Sequence, residues 1–163
     1  ATGPVAADSS PLIGLAAAGA FDLLQRLPGN VPVTRAVHDE VMAGRHLPGA
    51  EELEAAIDAG WVQVVPNPAG ADAFVQLGPG EASTIALAVE HGPDCLVLMD
   101  EPAGRYHAVE AGLRVTGLAG VLVAAKRAGL IDSVRPLLAT LKRSDFRISG
   151  EIIRAVLEKA GEA

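Results

Sequence analysis

Val5-Ala6-Ala7-Asp8-Ser9-Ser10-Pro11 and Leu96-Val97-Leu98-Met99-Asp100-Glu101 are built alike, each a short apolar run that stops at a carboxylate. Runs of this length with no polar alternation read as strands buried on both faces. Ser9-Ser10-Pro11 then opens a helix, because proline tolerates the first helical position, where its missing N–H would lack a partner anyway. Two buried strands, each followed by a helix, imply a parallel sheet, and the carboxyl ends of such strands form the natural edge for a site. Asp8 and Asp100 both stand at those ends.

Outward from these two runs the same alternation continues. Phe21 to Leu27 reads as a helix stopped at Pro28-Gly29-Asn30, Val31 to Val33 as a strand, and Thr34 as the cap of a helix carrying Val37, Glu40 and Val41. Glu40 falls one turn from Val37, beside the core face. Gly49 to Ala59 is amphipathic and ends at Gly60, before a strand from Trp61 to Val65. The breaker-rich loop Pro66-Asn67-Pro68-Ala69-Gly70 leads to a helix from Gly78 to His91, with Glu81 in its first turn. After the Cys95 to Met99 strand come a helix from Gly104 to Ala111, a strand from Leu113 to Val115, and helices from Gly117 to Ala128, Val134 to Leu141 and Ser149 to Ala160. The expected fold is a three-layer α/β/α sandwich with a mostly parallel central sheet and a helical C-terminal third, in a single domain spanning 1–163.

Composition narrows the function classes. Half of the 163 residues are apolar, which suits one domain with a substantial core. With one Trp, one Tyr and three Phe, that core must be made of Ala, Val, Leu and Ile, and a base-stacking surface of the usual aromatic kind is not expected. A lone cysteine, Cys95, excludes an intrachain disulfide and a cysteine-based zinc site. No apolar run reaches the length of a membrane span, and no basic segment leads into a long apolar stretch as in a signal peptide, so the expected setting is cytoplasmic. The net charge of −7 argues against a protein that coats long nucleic acid. Residues 1–80 hold nine acids and three bases, whereas 105–147 hold eight bases and three acids. Such a basic stretch can be a set of solvated helix faces, a track for RNA, or a surface for an acidic partner.

Asp8, Glu40, Glu81 and Asp100 each have a bland explanation, as helix caps, first-turn acids or solvated helix residues. Brought together they have another. At ~5 Å and an effective dielectric near ~20, each like-charged pair costs roughly 3 kcal/mol. A convergent set therefore needs protons or a cation, and oxygen ligands without Cys suit hard divalent ions such as Mg²⁺ or Mn²⁺.

Taken in order, Asp8-Ser9-Ser10-Pro11-Leu12-Ile13, Val37-His38-Asp39-Glu40-Val41, Leu77-Gly78-Pro79-Gly80-Glu81-Ala82 and Met99-Asp100-Glu101 with Gly104-Arg105 resemble the successive acidic motifs of PIN domains. Leu113-Arg114-Val115-Thr116-Gly117, Ala125-Lys126-Arg127-Ala128-Gly129-Leu130-Ile131 and Phe146-Arg147-Ile148-Ser149 extend the likeness to a prokaryotic PIN-like subgroup related to VapC toxins. The resemblance covers nearly the whole chain. It implies a ribonuclease using Mg²⁺ or Mn²⁺, with Asp8, Glu40, Glu81 and Asp100 as the acidic quartet and products carrying a 5′-phosphate and a 3′-hydroxyl. It also implies a toxin role with a small antitoxin protein as partner. The chain departs from the family pattern at Glu81, where many members have Asp, and Glu101 is only a partial stand-in for a further acid.

Beside that quartet, Ser10 is a candidate for a hydrogen bond to a ligating carboxylate or to phosphate, against helix capping. Arg105 is a candidate for substrate phosphate, against a structural ion pair. The apolar surplus for so small a chain suggests a homodimer. Among rival readings, a receiver domain needs an early acidic pair and an acceptor two strands later, which the distance from Asp8 to Asp100 opposes. A nucleotide-binding domain needs a glycine-rich loop where Asp8-Ser9-Ser10-Pro11 stands. A PIN-like module that binds or regulates without turnover is the remaining alternative.

Overall fold

The computed structural model describes residues 3–27 and 30–163. Among these the strands are β1 (Val5–Ala7), β2 (Val31–Thr34), β3 (Val62–Val65), β4 (Leu96–Leu98) and β5 (Arg114–Thr116). The helices are α1 (Ser9–Ala17), α2 (Leu23–Arg26), α3 (Arg35–Ala43), α4 (Ala50–Ala59), α5 (Pro79–His91), α6 (Pro102–Glu110), α7 (Leu118–Arg127), α8 (Arg135–Arg143) and α9 (Gly150–Lys159). The expected Phe21 to Leu27 helix shrinks to α2, with Phe21 and Asp22 in a turn ahead of it, and the Pro28-Gly29 stop lies outside the described residues. The loop expected at 66–70 runs into a 3₁₀ turn over Ala69–Ala73.

All strand pairings are parallel, in two ladders of order β1-β4-β5 and β2-β3. β1 and β2 lie side by side where the ladders meet, and Val5 N–H donates to the Asn30 carbonyl at 3.2 Å. The mostly parallel sheet expected from the sequence is therefore present, divided at this seam.

Alternate residues of β1 and β4 feed two cores. Val5, Ala7 and Leu98 join the larger cluster, with Leu12 and Leu15 of α1, Leu122 of α7 and Leu138 and Leu141 of α8. Ala6, Val97 and Met99 join a smaller one, with Ile85 and Ala88 of α5 and Ala108 of α6. Helices thus cover both faces of the sheet, the α/β/α arrangement that strands apolar on both sides require. Each fully buried Leu or Ile stabilises the fold by about 1.5–3 kcal/mol. Aromatic packing adds one tilted pair, Phe21 against Trp61 with centroids 5.8 Å apart.

Local signals fix the helix ends. Thr34 Oγ1 accepts the Val37 N–H at the start of α3, and Ser149 Oγ accepts the Ile152 N–H at the start of α9. Helix α4 ends at Gly60 with φ of 90°, left-handed backbone, and nothing lies within 4 Å of where a Cβ would sit. Gly60→Ala therefore isolates backbone strain from any clash. We expect it to lower unfolding stability in urea by about 1–2 kcal/mol, with no change in denaturant slope.

Candidate active site

The order of the strands places the site. The chain leaves β1 toward β2 on one side and leaves β4 toward β5 on the other, while β1 and β4 are direct neighbours. Connections that diverge from adjacent parallel strands leave a crevice beyond their carboxyl ends. Asp8 follows β1 by one residue and Asp100 follows β4 by two, so both stand at that crevice.

Asp8 is the buried member, 3% exposed. It occupies the N-cap position of α1, yet its side chain makes no capping hydrogen bond, so helix capping does not account for it. Burial pushes its carboxyl up to about 7. The Ser9 N–H pulls the other way, and the charges of Glu40, Glu81 and Asp100 push further up. Asp8 Oδ1 is buried without a hydrogen-bond partner among the described residues. A buried acceptor without a donor is costly; a proton or a cation on that oxygen would satisfy it.

Asp100 is half-buried, and burial raises its carboxyl. Against this, Leu118 N–H donates to Oδ1 at 3.1 Å and to Oδ2 at 3.4 Å, and Arg105 lies near. Asp100 therefore caps α7, a helix that begins eighteen residues later in the chain and arrives from β5, rather than the helix α6 that follows it directly. Arg105 is held in place by donating from Nη1 to the Met99 carbonyl at 2.9 Å.

Glu81 sits in the first turn of α5. Burial raises its carboxyl most, Glu101 and Glu40 raise it further, and the Gly78 backbone opposes them. Glu40 lies on α3 one turn from Val37 and is itself exposed. It is nonetheless fixed at both oxygens: Ser9 Oγ donates to Oε2 at 2.7 Å and Gly80 N–H to Oε1 at 3.1 Å.

The four acids therefore surround one crevice closely enough for Asp8 to feel each of the others. They do not close into a finished cage, since no three His, Cys, Asp or Glu side chains converge to hold an ion among the described residues. Mg²⁺ usually keeps several waters and takes only one or two carboxylates directly. The all-oxygen donor set and the unpartnered Asp8 Oδ1 fit such an ion.

Three glycines back the acids. A Cβ on Gly80 would lie 2.7 Å from Glu40 Oε1, one on Gly104 would meet Met99 Sδ and lie 3.2 Å from Glu81 Oε2, and one on Gly117 would run into Asp100 Oδ1. With Ser9 and the Leu118 amide, they are parts of the site that inspection of the acids missed. Ser10, the candidate singled out from sequence, has no side-chain hydrogen bond among the described residues; its neighbour Ser9 reaches Glu40.

A family model, DUF3368, described as a PIN domain, matches residues 4–162. The chain belongs to this PIN-domain family. PIN domains are generally nucleases and typically use divalent metals, so this PIN domain has a nuclease-type fold whose expected substrate is nucleic acid. No curated protein matches the chain. Among the described residues of this PIN domain, no helix is long and apolar enough to cross a membrane.

Its basic stretch is partly committed to structure. Lys126 Nζ contacts Glu162 Oε2 at 2.9 Å, and Arg127 donates to the Lys159 carbonyl at 3.5 Å. Arg135 reaches the Glu162 carbonyl, and Arg114 donates to the Asp94 carbonyl at 3.0 Å. Glu162, further bonded by Ser133 Oγ and Val134 N–H, has its carboxyl lowered to about 2, with the Ser133 hydrogen bond the largest cause. Lys126, Arg127 and Arg135 thus hold residues 159–162 against α7 and α8, and with Arg114 tied to Asp94 fewer cations are left over for a nucleic acid.

Proposed function

We propose that this PIN domain is an endoribonuclease that hydrolyses RNA phosphodiester bonds with Mg²⁺ or Mn²⁺, through Asp8, Glu40, Glu81 and Asp100. The observation that carries the reading is Asp8: a buried carboxylate with an unpartnered oxygen, at the switch point of a nuclease-type fold, facing three more acids. When bound there, a divalent ion supplies Lewis-acid stabilisation of phosphate charge and acidification of water. The protein's own part is positional. Asp8 and Asp100, at the ends of two adjacent strands, would hold the ion, with Glu40 and Glu81 flanking them from α3 and α5 directly or through water. Arg105, anchored on the Met99 carbonyl beside Asp100, would meet a substrate phosphate, and Ser10, with no side-chain hydrogen bond among the described residues, would donate to one.

The full assignment is that of the toxin in a toxin–antitoxin pair, acting in the cytoplasm as a homodimer and restrained by a small antitoxin protein. Its support is the family membership together with the VapC-like motifs between Leu113 and Ser149. A second reading, a PIN-like module without turnover, draws on the lack of three convergent ligands among the described residues.

One comparison separates them. Wild type is expected to cleave single-stranded RNA with Mn²⁺ and to stop on chelation. Asp100→Asn keeps an acceptor for the Leu118 N–H but loses the charge, and is expected to cleave about 10- to 100-fold more slowly. Equal cleavage by both proteins, or none by wild type across varied RNAs, would leave only the binding module.

A further inference from the structure

A closed circuit of hydrogen bonds starts and ends on α3. Val37 N–H donates to Thr34 Oγ1 at 3.2 Å, and Thr34 Oγ1 lies 2.8 Å from Ser83 Oγ. Ser83 Oγ in turn donates to the Gly80 carbonyl at 3.1 Å. Ser83 has a single O–H, spent on Gly80, so the proton between the two hydroxyls must come from Thr34. Thr84 Oγ1 donates to the same carbonyl at 2.7 Å. Gly80 N–H then returns to α3 by donating to Glu40 Oε1, one turn after Val37. Thr34, Ser83 and Thr84 are each 1% exposed, so no water competes for their hydroxyls.

The other Glu40 oxygen, Oε2, is held by the O–H of Ser9, the residue that directly follows Asp8 in the chain. Glu40 is an exposed glutamate on a helix surface, where its rotamers would otherwise be free. Hydrogen bonds that orient a ligating carboxylate act on affinity from outside the coordination sphere. We propose that Ser9 is a positioning residue that, together with the Thr34–Ser83–Gly80 circuit, sets Glu40 at a fixed separation from Asp8 and so pre-forms the acidic centre for its divalent ion. The inference rests on the proposed metal-dependent reading for its consequence, and on the hydrogen bonds alone for its geometry.

Ser9→Ala removes the hydroxyl and keeps the backbone N–H, while Ser9→Thr keeps both. Mn²⁺ titration followed by calorimetry is expected to show about tenfold weaker binding in Ser9→Ala and binding within about twofold of wild type in Ser9→Thr. Melting temperatures without metal should be alike in the three proteins. In the same metal-free samples, hydrogen exchange at the Gly80 amide reports Glu40 directly: protection is expected to fall about fivefold in Ser9→Ala as Glu40 loosens, and to return in Ser9→Thr. Unchanged Gly80 protection, or undiminished Mn²⁺ affinity in Ser9→Ala, overturns the proposal. If wild type binds no Mn²⁺, the metal-dependent reading falls, and Gly80 protection still decides whether Ser9 positions Glu40.

Discussion

Asp8→Asn is expected to make the metal-free protein more stable at pH 8 while removing its activity. The folded Asp8 carboxyl keeps its proton up to about pH 7, whereas an ordinary aspartate has lost it above 3.8. Between those values folding takes up a proton, so stability falls as pH rises. The contribution of the protonated form is complete below the unfolded value and gone once pH passes about 7. A raise of this size corresponds to roughly 4 kcal/mol at full ionisation. The near-complete burial of the side chain leaves little solvent screening to reduce it. Asparagine carries no charge to desolvate, and it escapes repulsion from Glu40, Glu81 and Asp100.

Urea denaturation of both proteins from pH 5 to pH 8, without metal, checks this. The variant should gain on wild type as pH rises, approaching that roughly 4 kcal/mol advantage at pH 8. Adding Mg²⁺ or Mn²⁺ should restore wild type, because an ion bound only by the native state stabilises it, and should do little for the variant. RNA cleavage by Asp8→Asn should fall about 10³-fold, the equivalent of roughly 4 kcal/mol of lost transition-state stabilisation. Identical pH slopes, or cleavage at the wild-type rate, would remove Asp8 from the centre of the site.

Gly117→Ala should lower cleavage about 10²-fold by displacing a reacting group's support by about 1 Å. The backbone at Gly117, φ −128° and ψ −168°, suits any residue, so strain is not the cause. The added methyl would run into Asp100 Oδ1 and lie 3.2 Å from Arg105 Nη1. Asp100 cannot retreat without losing the Leu118 N–H, and Arg105 is tied to the Met99 carbonyl. Gly70→Ala is the matched control, since its methyl would make only an ordinary 3.7 Å contact with Ala86 Cβ. Cleavage assays at saturating Mn²⁺ check the pair; wild-type turnover by Gly117→Ala would mean that Asp100 has slack the contacts do not suggest.

What the sequence disclosed and what it hid follow from the range of the interactions involved. Asp8 and Asp100 were visible because an apolar run ending at a carboxylate is a local pattern, as are the Thr34 cap and the Gly60 stop. The register of Val5 against Leu96 lies outside any local window, and so does the seam between the two ladders. The helix expected from Phe21 begins instead at Leu23, and Phe21, in the turn before it, packs against Trp61, forty residues along the chain. The place of Glu40 one turn from Val37 follows from helical spacing, whereas the donors that hold its oxygens, Ser9 and Gly80, lie far along the chain. The basic stretch showed its charge but not its partners, and Glu162, beyond that stretch, absorbs part of it.

The pairing of β1 with β4 also has a consequence for the order of events during folding. Val5, near one end, must find Leu96, well past the middle, before Asp8 and Asp100 can share a crevice. Closing so long a loop precedes any reward from the contacts it makes, and such pairings form slowly. During synthesis, the segment through β3 holds Asp8 and Glu40, while Glu81 and Asp100 are still to come. The edge where the four acids meet is therefore among the last features to assemble.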